Sequence, residues 1–259
     1  MIKRPIDVLC VFGRGIEKNE RGIWQPTAYL EEMTSDNQHG GERKSGLRLW
    51  SENSQVVIGG AYANAVAAAR IWNHLHVEQA WPSYIVFAAG KPEYLRAAPN
   101  RVWEGKPLYN VMKKNCIENP HTLSDIIFQK DNRNTRDDLL QTLKMAQSRG
   151  LKNVGIVSVL VHLRRIAEFL RHALIEDPSL ANINTTLYAS ELVLIGTGSV
   201  RNLLLLEDPG VAGPLDYLAI SRIIESPVFR RTAEKEGRGI KDLQAGRYNF
   251  GHQGYQFAK

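Results

Sequence analysis

Short, nearly continuous apolar runs limit the fold of this sequence more than any other feature. Runs of this length are typical of strands that are buried on both faces, as in parallel sheets. Stretches at helical spacing, such as Ala61–Leu75, separate the runs from one another. Strands that alternate with helices predict a parallel sheet covered by helices on both faces. The four clearest runs are Ile6–Phe12, Ser83–Ala89, Asp125–Phe128 and Val154–Leu160.

Later patterns complete the predicted set of elements. Leu187–Ile195 is a fifth strand candidate that ends in Gly196–Ser199. A helix is predicted from Thr135, as its cap, to Arg149, and another from about Val161 to Ile175. Shorter helices are predicted at Tyr109–Asn115, Tyr217–Ile224 and Val228–Glu236.

The domain organisation follows from the remaining segments. Residues 17–55 are polar and without a clear period, so we expect a long insertion, although Trp24 and Trp50 argue against plain disorder. From about residue 200 we expect a helical C-terminal extension. The sequence therefore predicts one α/β domain over residues 1–259, with a mostly parallel central sheet of about five strands.

Composition narrows the class of partner. The formal net charge is +6 and the sequence pI is about 9.3, which favours anionic partners. No run of five or more Lys or Arg occurs, so the scattered charge disfavours a nucleic-acid-binding module. Neither an apolar segment long enough to span a membrane nor a signal peptide is evident, which predicts a cytoplasmic protein. Cys10 and Cys116 lack CxxC spacing, which disfavours a disulfide or a zinc site.

The candidate site is expected where the parallel strands end, because ligands of such folds bind beyond the carboxyl ends of the strands. The first strand is followed by Gly13-Arg14-Gly15, which allows close backbone approach and offers a guanidinium for an anion. A simple tight turn explains the same glycines equally well. Neither this loop nor Gly196–Ser199 completes GxGxxG or the P-loop pattern, which disfavours those two modes of nucleotide binding.

The segment before the helix predicted from Thr135 has two interpretations that do not exclude each other. Thr135 with Asp138 three residues on is an ordinary capping pair. A helix N-terminus with Arg133 and Asn134 beside it is also an anion site. Gln129, at the end of the preceding strand, would face the same rim.

His162 and Arg165 lie three residues apart on one side of a predicted helix, so both can reach one ligand. His162 is a candidate general acid or base, or a phosphate contact, although an early-helix histidine is also a common structural residue. Ser158 belongs either to the site or to the core. No HExxH or GxSxG pattern occurs, so neither a metal site nor a serine-hydrolase triad is expected.

The stretches IIFQKDNRNTRDDLLQTLKMA and VSVLVHLRRI resemble the YdcF/SanA/ElyC-like family. Asn134, Thr135, His162 and Arg165 match positions of the family pattern, and the strand ending in Gly13 and Gly15 is similar to its opening glycine-rich strand. The chain departs from the pattern elsewhere: Gln129 stands for a glutamate, Asn132 for a serine and Asp138 for an asparagine. Asp137 keeps an acidic residue.

The resemblance implies a Rossmann-like three-layer sandwich and an enzyme acting on an anionic small molecule. The ligand would be phosphorylated, nucleotide-like or similar to S-adenosylmethionine, a cofactor linked to the family. A non-catalytic binding protein is the alternative, because Gln129 lacks the carboxylate. The predicted catalytic residues are His162, Asn134 and Asp137, and the predicted ligand-binding residues are Gly13, Arg14, Gly15, Gln129, Arg133, Thr135, Ser158 and Arg165.

Overall fold

The computed structural model describes residues 5–18, 21–27, 60–90, 103–130, 132, 134–196, 224 and 227–246. Its centre is a sheet of five strands in the order β5-β4-β1-β6-β7, and every pairing within it is parallel. The strands are β1 (Val8–Phe12), β4 (Tyr84–Ala88), β5 (Asp125–Phe128), β6 (Asn153–Ser158) and β7 (Asn184–Ala189). A separate antiparallel hairpin pairs β2 (Ile16–Lys18) with β3 (Trp24–Pro26).

Helices cover both faces of the sheet. α1 and α2 pack on one face together with α5, and α3 and α4 pack on the other. Short 3-10 turns lie at Pro120–Thr122 and Pro178–Asn182. The helices are α1 (Ala61–Val77), α2 (Gly105–Asn115), α3 (Thr135–Ser148), α4 (Leu160–Glu176), α5 (Ser190–Gly196) and α6 (Pro227–Gln244).

β1 is the central strand, and all five of its side chains are buried. Leu9 and Val11 point into the core shared with α1 and α2, whereas Val8, Cys10 and Phe12 point into the core shared with α3 and α4. This alternation explains why the strand reads as a continuous apolar run. The predicted fold class, a Rossmann-like α/β sandwich with a mostly parallel sheet of five strands, is confirmed.

The predicted fifth strand exists, but its predicted bounds, Leu187–Ile195, are wrong. The strand is β7, Asn184–Ala189, and the chain enters α5 at Ser190. A short apolar run does not distinguish a strand from a buried helix by its period, and this run covers the end of one and most of the other. β7 pairs only with β6, so it is an edge strand whose polar first half is tolerated.

Several boundaries of the predicted elements also differ by a few residues, such as the start of α2 at Gly105 and the end of α1 at Val77. The fourth predicted strand was drawn to Leu160, but β6 ends at Ser158 and Leu160 is the first residue of α4. The helix predicted at Val228–Glu236 continues to Gln244. The predicted 17–55 insertion contains the β2–β3 hairpin, while residues 28–59, with Trp50, lie outside the described residues, as do 217–223 of the predicted Tyr217–Ile224 helix.

Within the described ranges, no helix is both long and apolar enough to cross a membrane. Cys10 and Cys116 are free thiols, and Cys10 is completely buried in the core, as its apolar run predicts.

Candidate functional site

The candidate site lies at the point where the strand order of the sheet reverses. β1 pairs with β4 on one side and with β6 on the other. The connection after β1 leads to β4, whereas the connection after β6 leads to β7 in the opposite direction. In open parallel sheets this arrangement opens a crevice beyond the strand ends. The residues that follow β1 and β6, 13–15 and 159–162, meet at this edge.

The loop after β1 is shaped by its two glycines. Gly15 has a φ of +104°, a conformation that favours glycine, and its N–H donates to Glu104 Oε2 at 2.9 Å. A Cβ on Gly13 would lie only 2.2 Å from that same Oε2. Burial raises the pKa of Glu104 to about 7, and the Gly15 N–H and Arg14 oppose the rise. The glycines therefore serve contacts within the protein, and they leave Arg14 at the crevice.

His162 is buried at the end of β6 and has polar neighbours at both ring nitrogens. Ser158 Oγ lies 3.0 Å from Nδ1, while Thr135 Oγ1 and Arg165 Nη2 lie 3.2 Å and 3.1 Å from Nε2. A guanidinium only donates hydrogen bonds, so Nε2 accepts and the proton of the neutral ring resides on Nδ1, which donates to Ser158.

The electrostatic surroundings also favour a neutral His162. Burial lowers its pKa well below the usual range, and the charges of Arg14 and Arg165 lower it further. A neutral imidazole with an unprotonated Nε2 accepts a proton instead of supplying one. His162, Arg165, Thr135 and Ser158, which were predicted from separate segments, are thus brought together.

Arg14 and Arg165 converge on one carboxylate, that of Glu236 in α6. Arg14 Nη2 lies 3.0 Å from Glu236 Oε1, and Arg165 Nε lies 2.8 Å from Oε2. Glu236 is only 4% exposed. Arg14 Nε is buried and makes no hydrogen bond within the described part of the chain.

Glu236 was missed by the sequence reasoning, which gave no role to the C-terminal extension. A signal does exist in the sequence. α6 buries one stripe at helical spacing, and an acidic residue within such a stripe indicates an internal charge partner. The buried residues of this stripe are Thr232, Glu236, Ile240 and Leu243.

The N-terminus of α3 is capped by Asn134, so the prediction that Thr135 is the cap is wrong. Asn134 Oδ1 accepts from the Asp137 N–H at 3.0 Å, and Asn134 Nδ2 donates to Asp137 Oδ2 at 2.6 Å. Asn134 has the extended backbone of a cap residue, and asparagine caps as well as threonine does. The hydroxyl of Thr135 is thereby left to face His162. Arg133 lies outside the described residues.

Gln129 and Asp138 are buried together beside the rim. Asn132 Nδ2 donates to Asp138 Oδ1 at 3.0 Å, and the outer atom of the Gln129 amide lies 3.3 Å from the same oxygen. With Nε2 at that position, Gln129 donates to Asp138 and its Oε1 accepts from Thr142 Oγ1 at 2.9 Å. Burial raises the pKa of Asp138 to about 8, although the hydrogen bond from Asn132 opposes the rise.

The rim position predicted for Gly196–Ser199 belongs to Glu191. Its Oε2 accepts from the Leu160 N–H at 2.8 Å and lies 3.2 Å from Ser190 Oγ. Burial raises the pKa of Glu191 to about 7, and the hydrogen bonds oppose the rise. Gly196 ends α5, away from the end of β7, and residues 197–199 lie outside the described ranges. This correction follows from the wrong fifth strand.

The N-terminus of α1 is closed by the β2–β3 hairpin. The Ala61 N–H donates to Thr27 Oγ1 at 3.4 Å, and the Tyr62 N–H donates to Thr27 O at 3.0 Å. In dinucleotide-binding proteins of this fold, the helix after the first strand presents these N–H groups to a pyrophosphate. Thr27 already satisfies them, which agrees with the lack of GxGxxG.

The parallel five-stranded sheet with helices on both faces defines the chain as a Rossmann-like α/β protein. Comparisons with protein-family models, curated proteins and solved structures give no match to the chain. The resemblance to the YdcF/SanA/ElyC-like family therefore stays a prediction.

Proposed function

We propose that this chain is a small-molecule enzyme of the YdcF-like type that binds an anionic ligand at the carboxyl ends of β1 and β6. One observation carries the proposal. Two guanidinium groups from separate rim elements, Arg14 and Arg165, hold a single carboxylate beside the neutral His162. Paired guanidinium groups are the usual protein ligands of carboxylates and phosphates.

The chemistry of the neighbouring groups supports an enzyme. His162 Nε2 is an acceptor in the unliganded protein, so its role would be that of a general base toward a ligand hydroxyl or a water molecule. Ser158 fixes the ring by accepting from Nδ1. Thr135 adds a hydroxyl 3.2 Å from Nε2.

S-adenosylmethionine enters the proposal through the family resemblance. Its carboxylate is the group that would fit between Arg14 and Arg165, since Glu236 presents the same group there. When bound, the cofactor would supply a methyl group for transfer. A phosphorylated or nucleotide-like small molecule would use the same two arginines.

A non-catalytic binding protein is the second candidate. Gln129 favours it, because an amide occupies the position at which the resemblance predicts a glutamate. Such a protein would bind its ligand through Arg14 and Arg165 and release it unchanged after long incubation.

The ligand site is tested by calorimetry and thermal shift with inorganic phosphate, pyrophosphate, nucleoside monophosphates, sugar phosphates and S-adenosylmethionine. A charge-assisted hydrogen bond contributes about 1.5–3 kcal/mol, so Arg165→Met should weaken binding of any hit by about tenfold or more. Arg164→Met is the matched control, because Arg164 is the preceding arginine and is exposed. Equal affinities in the wild type, Arg165→Met and His162→Ala would place the ligand elsewhere.

A further inference from the structure

Glu236 of helix α6 occupies the position between Arg14 and Arg165 where an anionic ligand would bind. We propose that α6 is a built-in competitor for a tetrahedral oxyanion such as phosphate: Glu236 must leave Arg14 and Arg165 before the ligand binds. This inference depends on the proposed function, because it concerns the same site.

The charges at the site allow only one anion to pair with Arg14 and Arg165 at a time. Glu236 already neutralises part of the charge of the two guanidinium groups, and it lies within 3.0 Å of both. A phosphate held by the same nitrogens would place its negative oxygens against this carboxylate in a buried, weakly screened position. Both anions cannot occupy the pair together, so binding of one excludes the other.

In the described ranges, the Glu236 carboxylate leaves some of the N–H groups of Arg14 and Arg165 without an acceptor. Arg165 Nε and Glu236 Oε2 are close but lack hydrogen-bond geometry, and Arg14 Nε is buried with no acceptor among the described residues. A carboxylate has two oxygens, whereas a phosphate has four that point in different directions. A tetrahedral oxyanion can therefore accept from guanidinium N–H groups that Glu236 leaves unsatisfied.

α6 is attached mainly along α4. Among its described side chains, Ile240 and Leu243 are apolar and well buried, and Phe229 and Ala233 pack against Val159 and Val161 at the start of α4. Gln244 Nε2 adds one exposed hydrogen bond to Glu168 Oε1 at 2.9 Å. α6 packs on α4, with Leu243 in the core on that side of the sheet, and none of the strand pairings involves α6. Release of Glu236 therefore requires α6 to move relative to α4, but it requires no strand to unpair.

The experiment compares Glu236→Gln with Glu234→Gln by calorimetry against inorganic phosphate. Both substitutions remove one carboxylate from α6, but Glu234 is exposed to solvent. We expect Glu236→Gln to bind phosphate about tenfold or more tightly than the wild type, which is a common size for the coupling between two competing contacts. We expect Glu234→Gln to bind phosphate as the wild type does. Glutarate, which carries the carboxylate of Glu236 without its helix, should bind more weakly than phosphate.

Two further measurements keep the proposal testable if Glu236→Gln folds poorly. Ile240→Ala should loosen α6 without touching the arginines and should also tighten phosphate binding. Phosphate should increase amide hydrogen exchange of residues 227–246 in the wild type. If Glu236→Gln is folded by circular dichroism yet binds phosphate no more tightly, or if exchange in α6 is unchanged by bound phosphate, the competitor role is wrong.

The outcomes separate this inference from the proposed function. Phosphate binding that depends on Arg165 but is equal in Glu236→Gln and the wild type overturns only the role of α6. No oxyanion binding to the wild type, to Glu236→Gln or to Ile240→Ala overturns the proposed function as well. Glutarate binding as tightly as phosphate would show that the site selects carboxylates and would overturn the preference for a tetrahedral anion.

Discussion

The buried carboxyl group of Asp138 lies beside two amide side chains, those of Gln129 and Asn132. The family resemblance predicts a glutamate at 129 and an asparagine at 138, so this chain has the acid and the amide exchanged between two neighbouring positions. The Gln129 amide lies 3.3 Å from the Asp138 carboxyl, so this chain holds a buried acid–amide pair in which Asp138 supplies the acid.

The pKa of Asp138 predicts how stability depends on pH. The folded group titrates at about 8 and the unfolded group near 3.8, so the folded state binds the additional proton between these values and stability falls as pH rises. For each proton that the folded state binds and the unfolded state does not, the free energy of unfolding falls by at most about 1.4 kcal/mol per pH unit. We expect Asp138→Asn to remove much of the decline between pH 7 and 8, measured by urea denaturation. An unchanged slope in this variant would assign the decline to other groups.

The other buried groups define the best pH window for that measurement. Glu104 and Glu191 act in the same direction as Asp138, but with folded pKa values of about 7 they contribute mainly below pH 7. His162 acts in the opposite direction: its pKa is depressed, so its contribution is lost as pH falls below the usual 6.5. Asp138 is accordingly best isolated above pH 7.

At the scale of the element, the start of α3 separates a structural residue from a site residue. Asn134→Ala removes the side-chain acceptor of the Asp137 N–H and should lower the free energy of unfolding by about 1 kcal/mol. Thr135→Ala keeps that cap and removes only the hydroxyl near His162, so it should destabilise the protein less. Chemical denaturation followed by circular dichroism measures both. A larger effect for Thr135→Ala would contradict the assignment of Asn134 as the cap.

The strands that the sequence predicted well are short apolar runs with clear breaks at both ends. Asp125–Phe128 agrees with β5 to the residue, and the runs at Ile6–Phe12 and Ser83–Ala89 contain β1 and β4. The run at Leu187–Ile195 failed because a strand end and a buried helix are both apolar. An apolar run in the sequence indicates that a segment is buried, but it does not show whether that segment is a strand or a helix.

The site was predictable in part for a related reason. The rule that strand ends share one edge brings Thr135, His162 and Arg165 together from sequence positions alone. Glu236 meets Arg14 and Arg165, and Glu191 meets the Leu160 N–H, through long-range packing. No local pattern encodes which distant charge meets Arg14 or the start of α4. Buried ion pairs of this kind are visible only once the chain has folded.

Across the whole molecule, Gly13 is the point at which the end of β1 packs closely against the end of β4 and the start of α2. A Cβ there would lie 2.8 Å from Ala89 Cβ as well as 2.2 Å from Glu104 Oε2, so these elements would have to move apart. We expect Gly13→Ala to lower the free energy of unfolding by about 1–3 kcal/mol, as overpacking commonly does. Thermal and urea denaturation measure this loss.

Gly237 provides the control of opposite sign. It lies inside α6, and a Cβ would meet nothing within 4 Å. Gly237→Ala should therefore raise the free energy of unfolding by about 0.5–1 kcal/mol, because alanine restricts the unfolded chain and favours helix. If both variants shift stability in the same direction, the close approach at Gly13 does not govern the packing of the three elements.

The unprotonated nitrogen of the His162 ring has a single lone pair, yet two donors, Thr135 Oγ1 and Arg165 Nη2, lie within reach of it. The two donors are mutually exclusive at any instant. If a bound anion draws the Arg165 guanidinium away from Nε2, the Thr135 hydroxyl can donate to Nε2 in its place. That hydrogen bond would polarise the O–H bond of Thr135. Anion binding at Arg165 in α4 would therefore change the reactivity of Thr135 in α3, because both residues compete for the same lone pair of His162.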